Sequence, residues 1–216
     1  MARAVRWHFD ILPKAQKVLW NEHLAKGLPG WVLYGGTALA LRLGHRTSVD
    51  FDFFSSATFE PLEWNQKMGW GADILQAEPN TLTVIHKGVK LSFFGGLSLG
   101  VIMQPDMLDA CPVASLDDLA GCKLAALVNR VELKDYLDVT ALLRQGCSLA
   151  HLLGCAKAIY HGQFPVAACI KSIAWFDDPA LEDLKSADRH LLEQSVMTLG
   201  EIPSITLVES RIGGIA

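Results

Sequence analysis

One stretch, YGGTALALRLGHRTSVDFDFF at residues 34–54, constrains the fold more than any other part of the chain. The apolar run WVLY that leads into it has strand length and closes at Gly35-Gly36. TALALRLG, rich in Ala and Leu, reads as a helix with Thr37 as its expected N-cap and Gly44 as its stop. SVDFDFF alternates, with Ser48, Asp50 and Asp52 on one face and Val49, Phe51 and Phe53 on the other. That period of two is the signature of a half-buried strand. The predicted order is strand, glycine turn, helix, strand.

Chemistry follows from this order. Aspartates at i and i+2 on a strand share a face, roughly 6.5–7 Å apart along the chain. Like charges so close repel unless a cation lies between them. A hard divalent ion such as Mg²⁺ meets that need, because it prefers carboxylate oxygens and keeps its remaining positions for water and phosphate. The Gly-Gly turn at a helix N-terminus offers backbone N–H groups to an anion, with no Cβ to hold it away. Gly35, Gly36 and Thr37 are therefore candidates to hold a phosphate, and Asp50 and Asp52 to hold its metal. Arg46, in the loop before the aspartates, is a candidate phosphate contact; as a loop arginine it also reads as a solvated side chain. Taken singly, a Gly-Gly pair is an ordinary turn and D-x-D an ordinary solvated strand face.

Elsewhere, residues 9–26 read as one helix with Pro13 in its first turn. EPLEWNQKMGW reads as a helix ending at Gly69, and ADILQA, TLTVIHK and VKLSFFG as strands joined by turns at Pro79-Asn80 and Lys87-Gly88. From Ser115 the pattern is helical. Ser115 and Asp118 approximate a capping box, further helices end at glycines, and residues 203–216 read as irregular. The expected organisation is an α/β core over residues 1–112, then a helical region over 113–216, hence an α+β fold.

Composition removes several classes. Half of the 216 residues are apolar and 19% are charged, which suits a globular protein. No apolar run reaches the roughly 20 residues that span a bilayer. The N-terminus carries no apolar stretch or cleavage site of a signal peptide, so a cytoplasmic location and no membrane association are expected. The formal net charge of −4 gives no global footprint for nucleic acid, although a local basic groove is compatible with it. The five cysteines include no C-x-x-C and the histidines no H-x-x-x-H, so neither a disulfide framework nor a zinc site is expected. Cys122, Cys147 and Cys155 read as packing residues.

The segment GGTALALRLGHRTSVDFDFF resembles the first motif of the nucleotidyltransferase fold. More narrowly, the chain resembles the AbiEii/AbiGii toxin family, nucleotidyltransferase toxins of bacterial abortive-infection toxin–antitoxin systems. GVKLSFFG, ASLDDLAGCKLAALVNRVELKDYLDVTALL and IAWFDDP extend the resemblance to residues 31–179. It implies a polymerase-β-like mixed sheet with flanking helices and a helical C-terminal region. It implies Mg²⁺, a nucleoside triphosphate substrate, and transfer of NMP to an acceptor, with RNA or a tRNA 3′ end among the candidates. It implies an antitoxin partner protein. By resemblance Lys123 reaches the nucleotide phosphates, and Lys134, Asp135 and Asp138 form the family's [KR]-D-x-x-D element. Asp50, Asp52, Lys123, Asp135 and Asp138 are then the expected catalytic set.

Helical spacing alone leaves these later residues open. Lys123 and Arg130 lie two turns apart on one face, compatible with a cleft or with the surface, and Lys134 and Asp138 have the spacing of a surface ion pair. By resemblance, Ser92 stands where many nucleotidyltransferases carry a third acid. Serine cannot act as a carboxylate base. Three alternatives remain: transfer served by Asp135 or Asp138, slow transfer, or a degenerate nucleotidyltransferase fold that binds nucleotide or protein without transferring.

Overall fold

The computed structural model describes residues 5–213. The chain folds as two compact units. The first comprises the residues up to Leu99, with Gln104–Ser115 and the stretch from Glu209 onward; the second comprises Gly100–Met103 and Leu116–Val208.

In the first unit, α1 (Lys14–Glu22) leads to β1 (Val32–Tyr34), α2 (Gly35–Leu43) and β2 (Asp50–Phe54). α3 (Pro61–Met68) precedes β3 (Asp73–Glu78), β4 (Thr81–His86) and β5 (Val89–Phe94), and β6 (Asp106–Leu108) and β7 (Cys111–Val113) follow. The strands form one mixed sheet in the order β3-β4-β5-β2-β1-β7-β6. β2 is central, antiparallel to β1 and parallel to β5. One face of the sheet carries Leu33, Phe51, Phe53, Leu82, Val84, Leu91 and Phe93, all fully buried. Aromatic rings complete this core: Trp20 lies 6.0 Å from Phe51, and Trp31 and Trp64 lie 5.2 and 5.9 Å from Phe93. Large aromatic side chains contribute most of the apolar area that such a layer removes from water.

The alternation read from SVDFDFF is realised, with Phe51 and Phe53 buried and Asp50 and Asp52 partly exposed. The hairpin turns fall where expected, with Asn80, Lys87 and Gly88 in the left-handed region. Three expectations fail. The single helix over residues 9–26 is three pieces: a 3-10 turn at Phe9–Ile11, α1, and a 3-10 turn at Leu24–Lys26. Pro13 sets the start of α1, since it lacks an N–H and restricts the residue before it. Thr37 is not an N-cap, because α2 begins two residues earlier at Gly35. The strands β6 and β7 are absent from the sequence reading; at three residues each, with Pro112 inside one, they carry no readable period.

The second unit holds α4 (Leu116–Asn129), α5 (Leu133–Arg144), α6 (Leu149–Ile159), α7 (Val166–Ile173) and α8 (Ser186–Met197), at the positions the helical patterns predict. The carboxylate of buried Asp118 accepts from the Ile102 N–H at 2.8 Å and the Met103 N–H at 3.4 Å. That fastens Gly100–Met103 to the helices. Ile102, Cys155 and Ile159 form a core with Ile205 and Leu207 packed on it. Residues 203–213 are irregular and are tied in by the Val208 N–H, which donates to the Val101 carbonyl; the last three residues of the stretch read as irregular lie outside the described residues. No helix among the described residues is long and apolar enough to cross a membrane.

Candidate active site

The site begins with backbone geometry. Gly35 has φ +72°, a left-handed conformation that β-carbon-bearing residues adopt at a cost, and it opens α2 directly after β1. A Cβ there would fall on Oδ2 of Asp52. The carboxylate of Asp52 thus lies against the first turn of α2, where helical N–H groups lack intrahelical partners. At Gly36 a Cβ would stand 2.7 Å from Nη2 of Arg46 and 3.0 Å from Oγ of Ser48. The Arg46 guanidinium therefore lies over the glycine turn, with Nη1 donating to the Thr47 carbonyl at 3.0 Å. Gly35, Gly36, Arg46 and Asp52, separate in sequence, meet at one corner.

Thr37 has a different duty from the one its position suggests. It is fully buried and its hydroxyl donates to the backbone carbonyl of Asp50. It joins α2 to β2 at the head of the aspartate strand instead of facing outward. Asp50 and Asp52 share a face of β2, and the parallel register brings Lys90 beside Asp50 and Ser92 beside Asp52. Lys90 Nζ is 2.9 Å from Oδ2 of Asp50. Lys90 is a site residue that the sequence reading passes over. Its signal is the alternation in VKLSFF, which puts Lys90 and Ser92 on one face just as DFDFF does Asp50 and Asp52. Tyr34 pairs with Asp52 from the other side, its ring stacked on Phe54 at 4.7 Å.

The donor set here fits a hard divalent cation. Two carboxylates, partly exposed, project from one face beside a helix N-terminus and a turn that a Cβ would fill. Lys90 pairs with Oδ2 of Asp50 on this same face.

The residues of the second unit form their own cluster. Lys123 is only 6% exposed, and Asp135 and Asp138 are fully buried. Lys123 Nζ is 2.9 Å from Oδ1 of Asp135 and 2.6 Å from Oδ2 of Asp138. Arg130 Nε donates to Oδ2 of Asp135 at 2.8 Å. Burial on its own would lower the pKa of the Lys123 ammonium, but Asp138 and Asp135 outweigh it and hold it above its ordinary value. Burial would likewise raise the Asp135 carboxyl, yet the hydrogen bond from Arg130 and the charge of Lys123 keep it below the usual carboxylate range. Lys134 pairs at 2.8 Å with Glu132, not with the Asp138 its spacing suggests. The surface ion-pair reading of Asp135 and Asp138 therefore fails: they are the buried anchors of Lys123.

Comparison with known proteins follows the same lines. Residues 19–205 match the sequence profile of the family described as nucleotidyl transferase AbiEii toxin, type IV toxin–antitoxin (TA) system. An uncharacterized protein of Aquifex aeolicus is 30% identical over 179 residues, covering 77% of this chain and 84% of that protein. The crystal structure of a candidate nucleotidyltransferase from H. pylori superposes with a TM-score of 0.52 at 16% identity, over 85% of this chain and 92% of the other. That likeness is one of fold, and it identifies the mixed sheet and helices as a nucleotidyltransferase architecture.

Proposed function

Because this chain belongs to the AbiEii nucleotidyltransferase toxin family, we propose that it transfers NMP from a nucleoside triphosphate to an acceptor, with RNA as the acceptor class. The observation that carries this reading is the corner where Asp52 abuts the first turn of α2 through Gly35. Triphosphate and metal ligands are needed side by side, and this corner brings their two kinds of ligand together.

Each residue has a task in this reading. The N–H groups at Gly35 and Gly36 and the Arg46 guanidinium hold the triphosphate oxygens. Asp50 and Asp52 would hold Mg²⁺, which when bound neutralises phosphate charge as the acceptor oxygen attacks and pyrophosphate departs. Thr37 keeps Asp50 in line by holding its carbonyl. Lys90, beside Asp50, adds a cation to the same face. Lys123, kept protonated by Asp135 and Asp138, carries the role of phosphate counter-charge that the family resemblance assigns to it. A carboxyl held low in pKa is a poor proton acceptor, so Asp135 serves Lys123 and not the acceptor hydroxyl. A protein antitoxin is the expected partner, and cytoplasmic action on RNA the expected setting.

A second reading rests on Ser92. It lies next to Asp52 across the sheet and is nearly buried, where a third acid would act as base. With serine there, the chain binds Mg²⁺–nucleotide and does not transfer it. One experiment separates the two. Thermal stability is measured with each NTP, with and without Mg²⁺, and each NTP labelled on its α-phosphate is then incubated with total RNA. A Mg²⁺-dependent shift with labelled RNA supports transfer. The same shift with no labelled product supports binding alone. No shift with any NTP, or one that survives Asp50→Asn/Asp52→Asn, sinks both.

A further inference from the structure

The second unit contains a group of ligating side chains that nucleotidyl transfer does not use. Asp117, in the first turn of α4, and His151 and Cys155, on α6, converge so that one ligand atom from each lies within 4.8 Å of the others. Nε2 of His151 is 2.8 Å from Oδ1 of Asp117 and 3.5 Å from Sγ of Cys155. Both contacts fall on the same ring nitrogen. A nucleophile relay needs the two nitrogens to face different partners, one toward the acid and one toward the thiol. One nitrogen, one oxygen and one sulfur lying within 4.8 Å of one another instead make up the donor set of a single ion. Zinc–sulfur and zinc–nitrogen bonds of ordinary length at a tetrahedral angle put sulfur and nitrogen about 3.5 Å apart.

The surroundings suit a metal. Cys155 is fully buried at the inner end of the group, while the Asp117 and His151 side chains are 25% and 36% exposed. The group is thus anchored in the core and open to solvent on one side. His151 is held in place by its own backbone, whose N–H donates to Oγ of Ser148, the N-cap of α6. Cys147 and Cys155 flank His151 at four residues on either side, a C-x3-H-x3-C spacing that keeps the histidine and Cys155 on one helical face. Thiolate with imidazole and carboxylate is a borderline-soft set, which selects Zn²⁺ over Mg²⁺ or Ca²⁺.

We propose that Asp117, His151 and Cys155 bind one Zn²⁺, which clamps the start of α4 to α6 and leaves a fourth position open to solvent. As the zinc–sulfur bond forms, the Cys155 thiol gives up its proton to water. The His151 proton shifts to Nδ1 so that Nε2 can donate its lone pair. Asp117 exchanges its bond with the imidazole for one with the metal.

The test uses the full chain stripped with a chelator, then Zn²⁺ in competition with a chromophoric chelator and Co²⁺ as a spectroscopic probe. One Zn²⁺ per chain is expected, and a Co²⁺ spectrum with thiolate charge transfer and the strong visible bands of a tetrahedral site. Asp117→Asn and His151→Gln, both at partly exposed positions, should each weaken Zn²⁺ binding by at least about tenfold. Cys155→Ser should abolish the charge-transfer band; since Cys155 is buried, the His151→Gln result stands independently if that variant folds poorly. Wild-type protein that takes up no stoichiometric Zn²⁺ overturns the proposal. So does Zn²⁺ binding that survives His151→Gln, or that disappears in Asp50→Asn/Asp52→Asn, which would put the ion on the β2 carboxylates.

Discussion

Two pairs of aspartates make the instructive comparison. Asp50 and Asp52 stand two apart on β2, and Asp135 and Asp138 stand three apart on α5. Each pair shares a face of its element and each has a lysine at hydrogen-bond distance. They differ in solvent. The β2 pair is partly exposed and its lysine, Lys90, is 42% exposed, whereas the α5 pair and Lys123 are buried. In water a carboxylate can change partners at little cost, so the β2 pair can serve as ligands. In the core a charge is tolerated only while paired, so the α5 pair is committed to Lys123 and Arg130. One residue type thus stands in an adaptable, solvent-reached setting in one unit and in a fixed framework in the other.

The sharpest way to break this comparison is to remove a cation. Lys123→Met should destabilise the chain by about 3–5 kcal/mol in urea unfolding, because it removes the cation shared by two buried carboxylates. Lys90→Met should cost at most about 1 kcal/mol, since its pair is exposed to water. Equal costs would erase the distinction. Next in size, Gly35→Ala should cost about 1–3 kcal/mol, through φ +72° and a Cβ placed on the Asp52 carboxylate, and should abolish any Mg²⁺–nucleotide thermal shift. Thr37→Val, which leaves the Asp50 carbonyl without its donor, should cost about 1–3 kcal/mol by the same unfolding measurement.

The pH dependence sharpens the same contrast. The folded pKa of Asp135 lies below its ordinary 3.8, so its contribution is complete above that value and is lost as pH falls through the folded pKa. Lys123 is held above 10.5, so its contribution is complete below that value and is lost only as pH rises through the higher folded pKa. Acid titration followed by near-UV circular dichroism should show an unfolding limb below pH 3.8 that flattens in Asp135→Asn. The smallest effect belongs to the β2 pair: Asp50→Asn/Asp52→Asn should change stability by less than about 1 kcal/mol, because the loss of a partly exposed ion pair is offset by relief of carboxylate repulsion. Nucleotide binding, in contrast, should vanish.

What the sequence discloses follows the same division. DFDFF and VKLSFF are legible because a period of two assigns each residue to a face. The helices from Leu116 onward are legible from apolar spacing and, for α5 and α6, from glycines just past their ends. Burial of Asp135 and Asp138 is not legible: spacing identifies a shared face but not which way it turns, and charged residues lie by default outside. Thr37 misleads for a related reason. Its partner is a backbone carbonyl thirteen residues on, and no side-chain pattern marks a carbonyl. The C-x3-H-x3-C spacing is in plain view, yet the surrounding Leu and Ala make it read as packing, and its third ligand, Asp117, comes from a different helix.

The Thr37 hydroxyl has a consequence beyond the energy of one hydrogen bond. It couples the first turn of α2 to the head of β2. A fluctuation that lifts the first turn of α2 breaks its tie to Asp50, so the two elements are expected to open together. Amide protons at Ala38 and Phe51, on different elements, should then exchange with solvent through one shared opening event.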